Sequence, residues 1–173
     1  MRIEFGRDIN VLTKLIIIES VILMKIRKYG VRLNESRIGC LVEESAANYS
    51  DIDSITSSDK AAEIFEKVFD LSNQAQECFC MLALNASLKI AGAFEIFRGT
   101  VLSSPIHPRE IFQRAILAGA ASIIVAHNHP SGSLEASNDD RKTTKRLKEA
   151  GNLIGIPLND HIICANGGYT SLI

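Results

Sequence analysis

The sequence lacks the features typical of membrane-spanning, secreted and disulfide-rich proteins. Its four cysteines show no Cys-x-x-Cys spacing, so neither a zinc ribbon nor a disulfide scaffold is indicated, and a cytoplasmic location is expected. Lys14, Glu19 and Lys25 interrupt the most apolar stretch, whose uncharged runs fall short of the roughly 20 residues that span a bilayer. Glu4 and Asp8, with no small-residue cleavage site after the apolar run, argue against a signal peptide.

An excess of charge of one sign is also missing. The 19 Lys and Arg residues nearly balance the 20 Asp and Glu residues, so no overall positive field attracts nucleic acid. The chain has only 4 prolines, no tract of a single residue type and no visible internal repeat. With 173 residues, of which 46% are hydrophobic, this composition predicts a folded globular protein with a working core.

The hydrophobic pattern divides the chain into two parts. Apolar residues recur near helical spacing in the N-terminal part at Leu12, Leu15, Ile16, Ile18, Ile22, Leu23 and Ile26. The polar, Ser-rich residues 43–58 are typical of a linker. We therefore expect a helical N-terminal segment with its linker over residues 1–55 and the main domain over 56–173. The apolar helix is long enough to serve as a dimerisation surface, so a homodimer is one expectation.

The main domain is predicted to mix helices and strands, which makes it an α/β (α+β) domain. Ser57 or Ser58 can cap a helix that runs to about Leu71, and Pro108 is suited to the first position of another. The remaining predicted elements are a hairpin of Cys78 to Leu84 and Leu88 to Phe97, a buried strand from Ala121 to Ala126 that ends at His127, a helix from Asn138 to Ala150, and strands from Asp160 to Ala165 and Tyr169 to Leu172.

The residues suited to chemistry are concentrated after the buried strand. His127 and His129 lie two residues apart and project to the same side, and Asp140 can return to meet them from the next helix. Two imidazoles and one carboxylate can hold Zn²⁺ with a fourth position left for water, whose pKa the metal lowers toward roughly 7. A glutamate close to the metal but not bound to it could then accept the proton.

The same residues also fit a structural interpretation. Ser137 and Asp140 are spaced like a capping box, in which a Ser and an acidic residue three positions later close the first helical turn. Strand-end histidines are often polar loop residues. Asp160 and His161 likewise could orient a zinc-bound histidine or be structural polar residues at a strand start. The spacing alone leaves these alternatives open.

The segment HNHPSG, followed by Ser137 and Asp140, resembles the JAMM (MPN/JAB) metalloprotease pattern: HxHP, ten residues between the second His and the Asp, and a Ser three residues before the Asp. With the flanking segments HPREIFQRAILAGAASIIV and LKEAGNLIGIPLNDHIICANGGYTSL, the chain resembles the RadC family, whose members are named DNA repair proteins. The resemblance covers about Ile55 to Ile173. It implies an MPN-like, cytidine deaminase-like mixed sheet flanked by helices.

The resemblance also implies the roles of individual residues. His127, His129 and Asp140 correspond to the zinc ligands, and Ser137 to the hydroxyl that stabilises the oxyanion. Glu77, which opens the segment ECFCMLAL, corresponds to the general base. Two other glutamates compete for that role: Glu95 within a strand-like run and Glu110 near a helix start.

The expected function is that of a zinc-dependent hydrolase of JAMM type, in which zinc-activated water attacks an amide or isopeptide bond of a peptide substrate. The alternative is a non-catalytic, DNA-repair-associated binding module with a structural or vestigial metal site. Its partners would be DNA or DNA-repair proteins, bound by the N-terminal segment or by a basic helix that carries Arg141, Lys145 and Lys148. No aromatic residues interleave with these charges. A nuclease would normally require more carboxylates around paired metals.

Overall fold

The computed structural model describes residues 24–50, 53–99 and 106–173. In this part of the chain, seven strands form one sheet with three helices against its faces. The strands are β1 (Met24–Leu33), β2 (Gly39–Tyr49), β3 (Glu77–Leu84), β4 (Ile90–Gly99), β5 (Ser122–Asn128), β6 (Leu158–Ala165) and β7 (Gly168–Ser171). The helices are α1 (Ser58–Phe69), α2 (Pro108–Leu117) and α3 (Asn138–Ile154), with a short 3₁₀ turn at Leu71–Asn73 after α1.

The sheet is mixed, with strand order β2-β1-β4-β3-β5-β6-β7. The β1–β4 and β5–β6 pairs are parallel, and the other four neighbouring pairs are antiparallel. β5 therefore lies between antiparallel β3 and parallel β6. As a result, the start of β3 and the ends of β5 and β6 meet at one edge of the sheet. The mixed α/β fold predicted from the sequence is confirmed.

Two hydrophobic cores lie on opposite faces of the sheet. Alternate residues of β3 divide between them, because successive side chains of a strand point to opposite faces. Cys78, Cys80, Leu82 and Leu84 pack with α1, whereas Phe79, Met81 and Ala83 pack with apolar residues of α2 and α3. Burial on both faces explains why β3 has an uninterrupted apolar sequence instead of an alternating one.

Local signals predicted the helix starts correctly. The side chain of Ser57 accepts a hydrogen bond from the backbone N–H of Lys60 and caps α1, and Pro108 opens α2 as expected. The β3–β4 hairpin is also confirmed. α3 continues past the predicted end at Ala150 to Ile154, because Gly155, with φ of 81°, provides the left-handed C-cap.

The prediction for the N-terminal part is wrong where the structure shows strands. Ile26 lies in β1, not in a helix, and residues 43–49 form most of β2, not a linker. β2 is an edge strand that is largely exposed on both faces, so it carries no alternating apolar pattern and its polar residues resemble a linker. The other residues of the predicted helix, up to Leu23, lie outside the described residues.

No helix within residues 24–50, 53–99 and 106–173 combines the length and the apolar character needed to cross a membrane.

Gly151 determines how closely the C-terminal part of α3 approaches the sheet. A Cβ at this position would lie 2.6 Å from the backbone oxygen of Ile156 and 3.2 Å from the ring of Phe112. We expect Gly151→Ala to destabilise the protein by about 1–3 kcal/mol through overpacking, although alanine favours helix by about 1 kcal/mol. Urea unfolding measures the change. The control, Asn152→Ala at the neighbouring exposed position, should be neutral or stabilising; equal stability of the two variants would contradict the packing argument.

Candidate metal centre

Three side chains converge at the edge of the sheet where β5 ends. His127 Nε2 lies 3.0 Å from His129 Nε2 and 3.1 Å from Asp140 Oδ1, and His129 Nε2 lies 3.5 Å from Asp140 Oδ2. The three residues form a group whose potential ligand atoms all lie within 4.8 Å of one another. The histidines come from the end of β5 and Asp140 from the first turn of α3, as the spacing predicted.

The geometry of the group fits a tetrahedral metal ion. Ligand bonds of about 2.0–2.1 Å separate the ligand atoms of tetrahedral Zn²⁺ by about 3.3 Å, and the observed separations are 3.0–3.5 Å. The His127 side chain is 1% exposed, whereas those of His129 and Asp140 are 17% and 13% exposed. The group is therefore anchored in the protein interior on one side and opens toward solvent on the other.

Asp140 closes a capping box and also faces the histidines. Ser137 N–H donates to Asp140 Oδ2 over 2.7 Å, and Asp140 N–H donates to Ser137 Oγ over 3.1 Å. The structural and functional interpretations of this spacing are therefore compatible, because the cap holds the carboxylate against the histidines. Partial burial acts to raise the pKa of Asp140, but the interaction with His127 and the hydrogen bonds with Ser137 outweigh it and lower the pKa below its ordinary value.

Glu77 begins β3 next to this group. Phe79 pairs with His127 across the β3–β5 ladder, and Glu77, two residues earlier, lies on the same face of β3 and close enough to His127, His129 and Asp140 to interact electrostatically with them. Partial burial raises the pKa of Glu77, while the nearby His127 and His129 act to lower it. A half-buried carboxylate with a raised pKa has the properties of a general base.

The competing glutamates lie in ion pairs away from the group. Glu95 on β4 accepts two hydrogen bonds from Arg98, at 2.8 and 2.7 Å, and its pKa is lowered mainly by that contact. Glu110 contacts Arg109 and Arg114 on α2. His107 is exposed and caps α2 with its side chain. These contacts account for all three residues without the metal centre.

Asp160 and His161 have different roles, because their side chains lie on opposite faces of β6. The Asp160 carboxylate accepts hydrogen bonds from Ser58 Oγ over 2.6 Å and Ser171 Oγ over 2.7 Å, which connect α1 and β7 to β6. His161 instead contacts the candidate ligand His127, with 3.0 Å between His161 Nε2 and His127 Nδ1. Asp160 is structural, whereas His161 adjoins the candidate centre.

Asn128, between the two histidines, anchors the backbone around Glu77, a role that the sequence pattern did not indicate. Its side chain is fully buried, accepts from Cys78 N–H over 2.7 Å and donates to the carbonyls of Gln74 and Gln76 over 3.0 and 3.2 Å. These bonds hold the backbone on both sides of Glu77. Strand alternation alone indicates that the side chain of Asn128 lies on the face opposite to those of His127 and His129. The sequence does not reveal its hydrogen-bond partners, because they are at least 50 residues away.

We expect Asn128→Ala to destabilise the protein by about 1–3 kcal/mol, because the buried Cys78 N–H loses its acceptor. Asn85→Ala is the matched control, since Asn85 also accepts two backbone hydrogen bonds, from Ser87 and Lys89, but in an exposed turn where water can replace it. It should cost at most about 1 kcal/mol. Denaturant unfolding of both variants checks the difference, and equal losses would show that Asn128 is no special anchor.

Comparison with known proteins identifies the family. Residues 55–173 match the sequence model of the family described as RadC-like JAB domain. A UPF0758 protein of Staphylococcus haemolyticus is 44% identical over 129 residues, covering 74% of this chain and 55% of that protein. A UPF0758 protein of Staphylococcus epidermidis is 38% identical over 155 residues, covering 90% of this chain and 63% of that protein.

A third relative, a UPF0758 protein of Thermosynechococcus vestitus, is 45% identical over 103 residues, covering 60% of this chain and 41% of that protein. The chain thus spans less than two thirds of the length of each of these relatives. The family match includes β3 to β7, all three helices and the converging His127, His129 and Asp140. The resemblance seen in the sequence is therefore confirmed, and the chain belongs to the RadC-like JAB domain family.

Proposed function

We propose that this protein is a zinc-dependent hydrolase of JAMM type that cleaves an amide or isopeptide bond in a peptide substrate. The observation that carries the proposal is the convergence of two imidazole nitrogens and one carboxylate at 3.0–3.5 Å, with Glu77 beside them. This donor set is one that catalytic zinc sites use. Zinc bound there lowers the pKa of a water molecule and polarises a carbonyl oxygen.

His127, His129 and Asp140 would hold the metal. Each is oriented by a partner other than the metal: His127 by His161, His129 by the Ser133 carbonyl, and Asp140 by Ser137. Such contacts keep the ligands in place without the ion and reduce the reorganisation that binding requires. The more exposed side of the group, formed by His129 and Asp140, leaves room for water and a substrate carbonyl.

Glu77 would accept a proton from the attacking water and pass it to the leaving amine. In the described part of the chain no Lys or Arg forms an ion pair with Glu77, which leaves the carboxylate available to take the proton. The anchoring of its backbone by Asn128 fixes its position relative to the ligands on β5. A positioned base of this kind typically contributes about 10²–10⁴-fold to the rate.

Ser137 would stabilise the developing oxyanion. Its hydroxyl oxygen accepts from Asp140 N–H over 3.1 Å, which orients the side chain while its own proton stays available for donation. The side chain is exposed at the mouth of the group, where a substrate carbonyl would approach. A preoriented donor at this position acts as one half of an oxyanion hole.

The DNA-binding alternative has weaker support. Arg141, Lys145 and Lys148 line one side of a shallow cavity of about 320 Å³ on α3, which also contains Glu149 and Leu172. Lys145 lies 3.9 Å from Glu149, so part of the positive charge is already balanced. Among the described residues, no aromatic side chain lines this cavity to stack with bases. The geometry therefore favours the hydrolase.

Elemental analysis after zinc loading and gel filtration should find about one zinc per chain in the wild type and far less in Asp140→Asn. Asparagine keeps the cap on α3, so the loss reports on the ligand and not on the helix. The matched control is Asp139→Asn, because Asp139 is exposed in the same helical turn and pairs with Lys142. It should bind zinc like the wild type. A wild type without zinc, or a fully loaded Asp140→Asn, would refute the metal site.

Glu77→Gln should keep zinc but lose hydrolysis by about 10²–10⁴-fold, because glutamine cannot accept the proton. The substrate probe is a library of internally quenched peptides and lysine isopeptides, with cleavage located by mass spectrometry. Glu95→Gln and Glu110→Gln are the controls and should cleave at wild-type rate. Equal turnover by Glu77→Gln would reject the assigned base, and no cleavage by the zinc-loaded wild type would contradict the proposed amide hydrolysis.

A further inference from the structure

Two buried side chains behind the candidate centre extend the contact between His161 and His127 described above. His161 on β6 is 0% exposed and Thr144 on α3 is 6% exposed. They form a continuous hydrogen-bonded chain with distances of 3.0 Å from His127 Nδ1 to His161 Nε2, 2.7 Å from His161 Nδ1 to Thr144 Oγ1, and 2.8 Å from Thr144 Oγ1 to the Asp140 carbonyl oxygen. The chain links two of the three candidate ligands.

Hydrogen-bond chemistry determines the direction of every bond in this chain. The Asp140 carbonyl can only accept, so the single proton of the Thr144 hydroxyl is donated to it. Thr144 Oγ1 must then accept from His161 Nδ1–H. A neutral imidazole has only one N–H, so His161 Nε2 is an acceptor, and His127 must be the donor to it through its Nδ1–H.

The surroundings of His161 keep it neutral. Its ring is fully buried against Phe79, whose centroid lies 5.4 Å away, and such surroundings disfavour a charged imidazolium. The adjacent carboxylate, Asp160, lies on the other face of the sheet and is used by Ser58 and Ser171. Among the described residues, no carboxylate side chain is hydrogen-bonded to His161 to compensate a positive charge.

This arrangement of protons leaves Nε2 of His127, the nitrogen that faces the candidate metal position, without a proton. With its Nδ1 protonated, neutral His127 presents the lone pair of Nε2 toward His129 and Asp140. His129 reaches the same state separately, because its Nδ1 lies 2.9 Å from the Ser133 carbonyl, which can only accept. Two lone pairs and a carboxylate that face one another repel unless a cation lies between them.

We propose that His161 is a positioning residue of the metal centre: through Thr144 it holds His127 in the Nδ1–H tautomer, so that Nε2 is ready to bind the metal. This inference rests on the proposed metal site. The hydrogen-bonded chain starts at the backbone carbonyl of Asp140 and ends at His127. It therefore fixes the orientation of His127 relative to α3, the helix that carries Asp140. Partners of metal-bound histidines that act in this way typically change metal affinity by about 10–100-fold when they are removed.

The test uses the full chain, metal-free and ¹⁵N-labelled, at pH 8. Long-range ¹⁵N–¹H correlation reports the tautomer of each of the 4 histidines, and the missing signals of His107→Gln and His161→Phe assign two of them. We expect the Nδ1–H tautomer for His127 and His161 in the wild type. In His161→Phe, His127 should leave that state, and the Kd for Zn²⁺ should rise about 10–100-fold.

Two further variants separate this role from a packing role. His161→Gln should restore the His127 tautomer and most of the zinc affinity, because its side-chain oxygen can accept from Nδ1–H. Thr144→Val keeps the shape of the side chain but removes the acceptor of His161 Nδ1–H, so it should shift the His161 tautomer and weaken zinc binding. If His161→Phe does not fold, the His161 tautomer and the zinc affinity of Thr144→Val test the proposal. The control, His107→Gln, should change neither measurement at the centre.

The outcomes distinguish this inference from the proposed function. A wild type that binds no zinc refutes the metal site. The tautomers of the metal-free protein still test the hydrogen-bonded chain from Asp140 to His127. The inference is overturned if wild-type His127 carries its proton on Nε2. It is also overturned if His161→Phe and Thr144→Val bind zinc as tightly as the wild type.

Discussion

The pairing of β5 between β3 and β6 is the constraint on which the candidate centre depends. In this register Phe79 lies opposite His127 on one side, and Ile163 on the other. A slip by one residue would turn His127 to the opposite face, into the core that packs against α1. Both faces of β5 are buried, so such a slip would place polar side chains in hydrocarbon, and the register is strongly specified.

The end of β5 has an unusual concentration of buried polar groups. His127, Asn128 and His161 are all nearly inaccessible to solvent. Each is hydrogen-bonded: Asn128 to the backbone around Glu77, and the two histidines to each other. An unpaired group here would cost about 1–3 kcal/mol, so these partners favour a single arrangement of the site. The polar network stabilises the fold and also orients the groups proposed to act.

α3 joins the stability of the fold to the geometry of the site. Its first turn holds Asp140 through the capping box, its interior supplies Thr144, and its C-terminal part approaches the sheet closely at Gly151. The helix therefore carries one candidate ligand and supports the orientation of another. Since a rigid helix transmits small displacements along its length, close packing at its far end helps to define the position of Asp140.

Features that depend on local interactions were predictable from the amino-acid sequence. Capping at Ser57, proline at the start of α2, the apolar strands and the spacing of His127, His129 and Asp140 all depend on neighbours along the chain or on strand and helix periodicity. The grouping of the three candidate ligands was predictable because the two histidines alternate correctly on one strand and the next helix returns to that strand's end.

The remaining features depend on contacts between segments that lie far apart along the chain. The edge strand β2 has no apolar pattern because it buries neither face. Its pairing with β1 could therefore not be predicted from its residue composition. The partners of Asn128 and His127 depend on strand register over separations of 50 and 34 residues. The different roles of Asp160 and His161 depend on which face of β6 lies next to the candidate centre. These relations arise from packing between distant segments, which local sequence patterns do not encode.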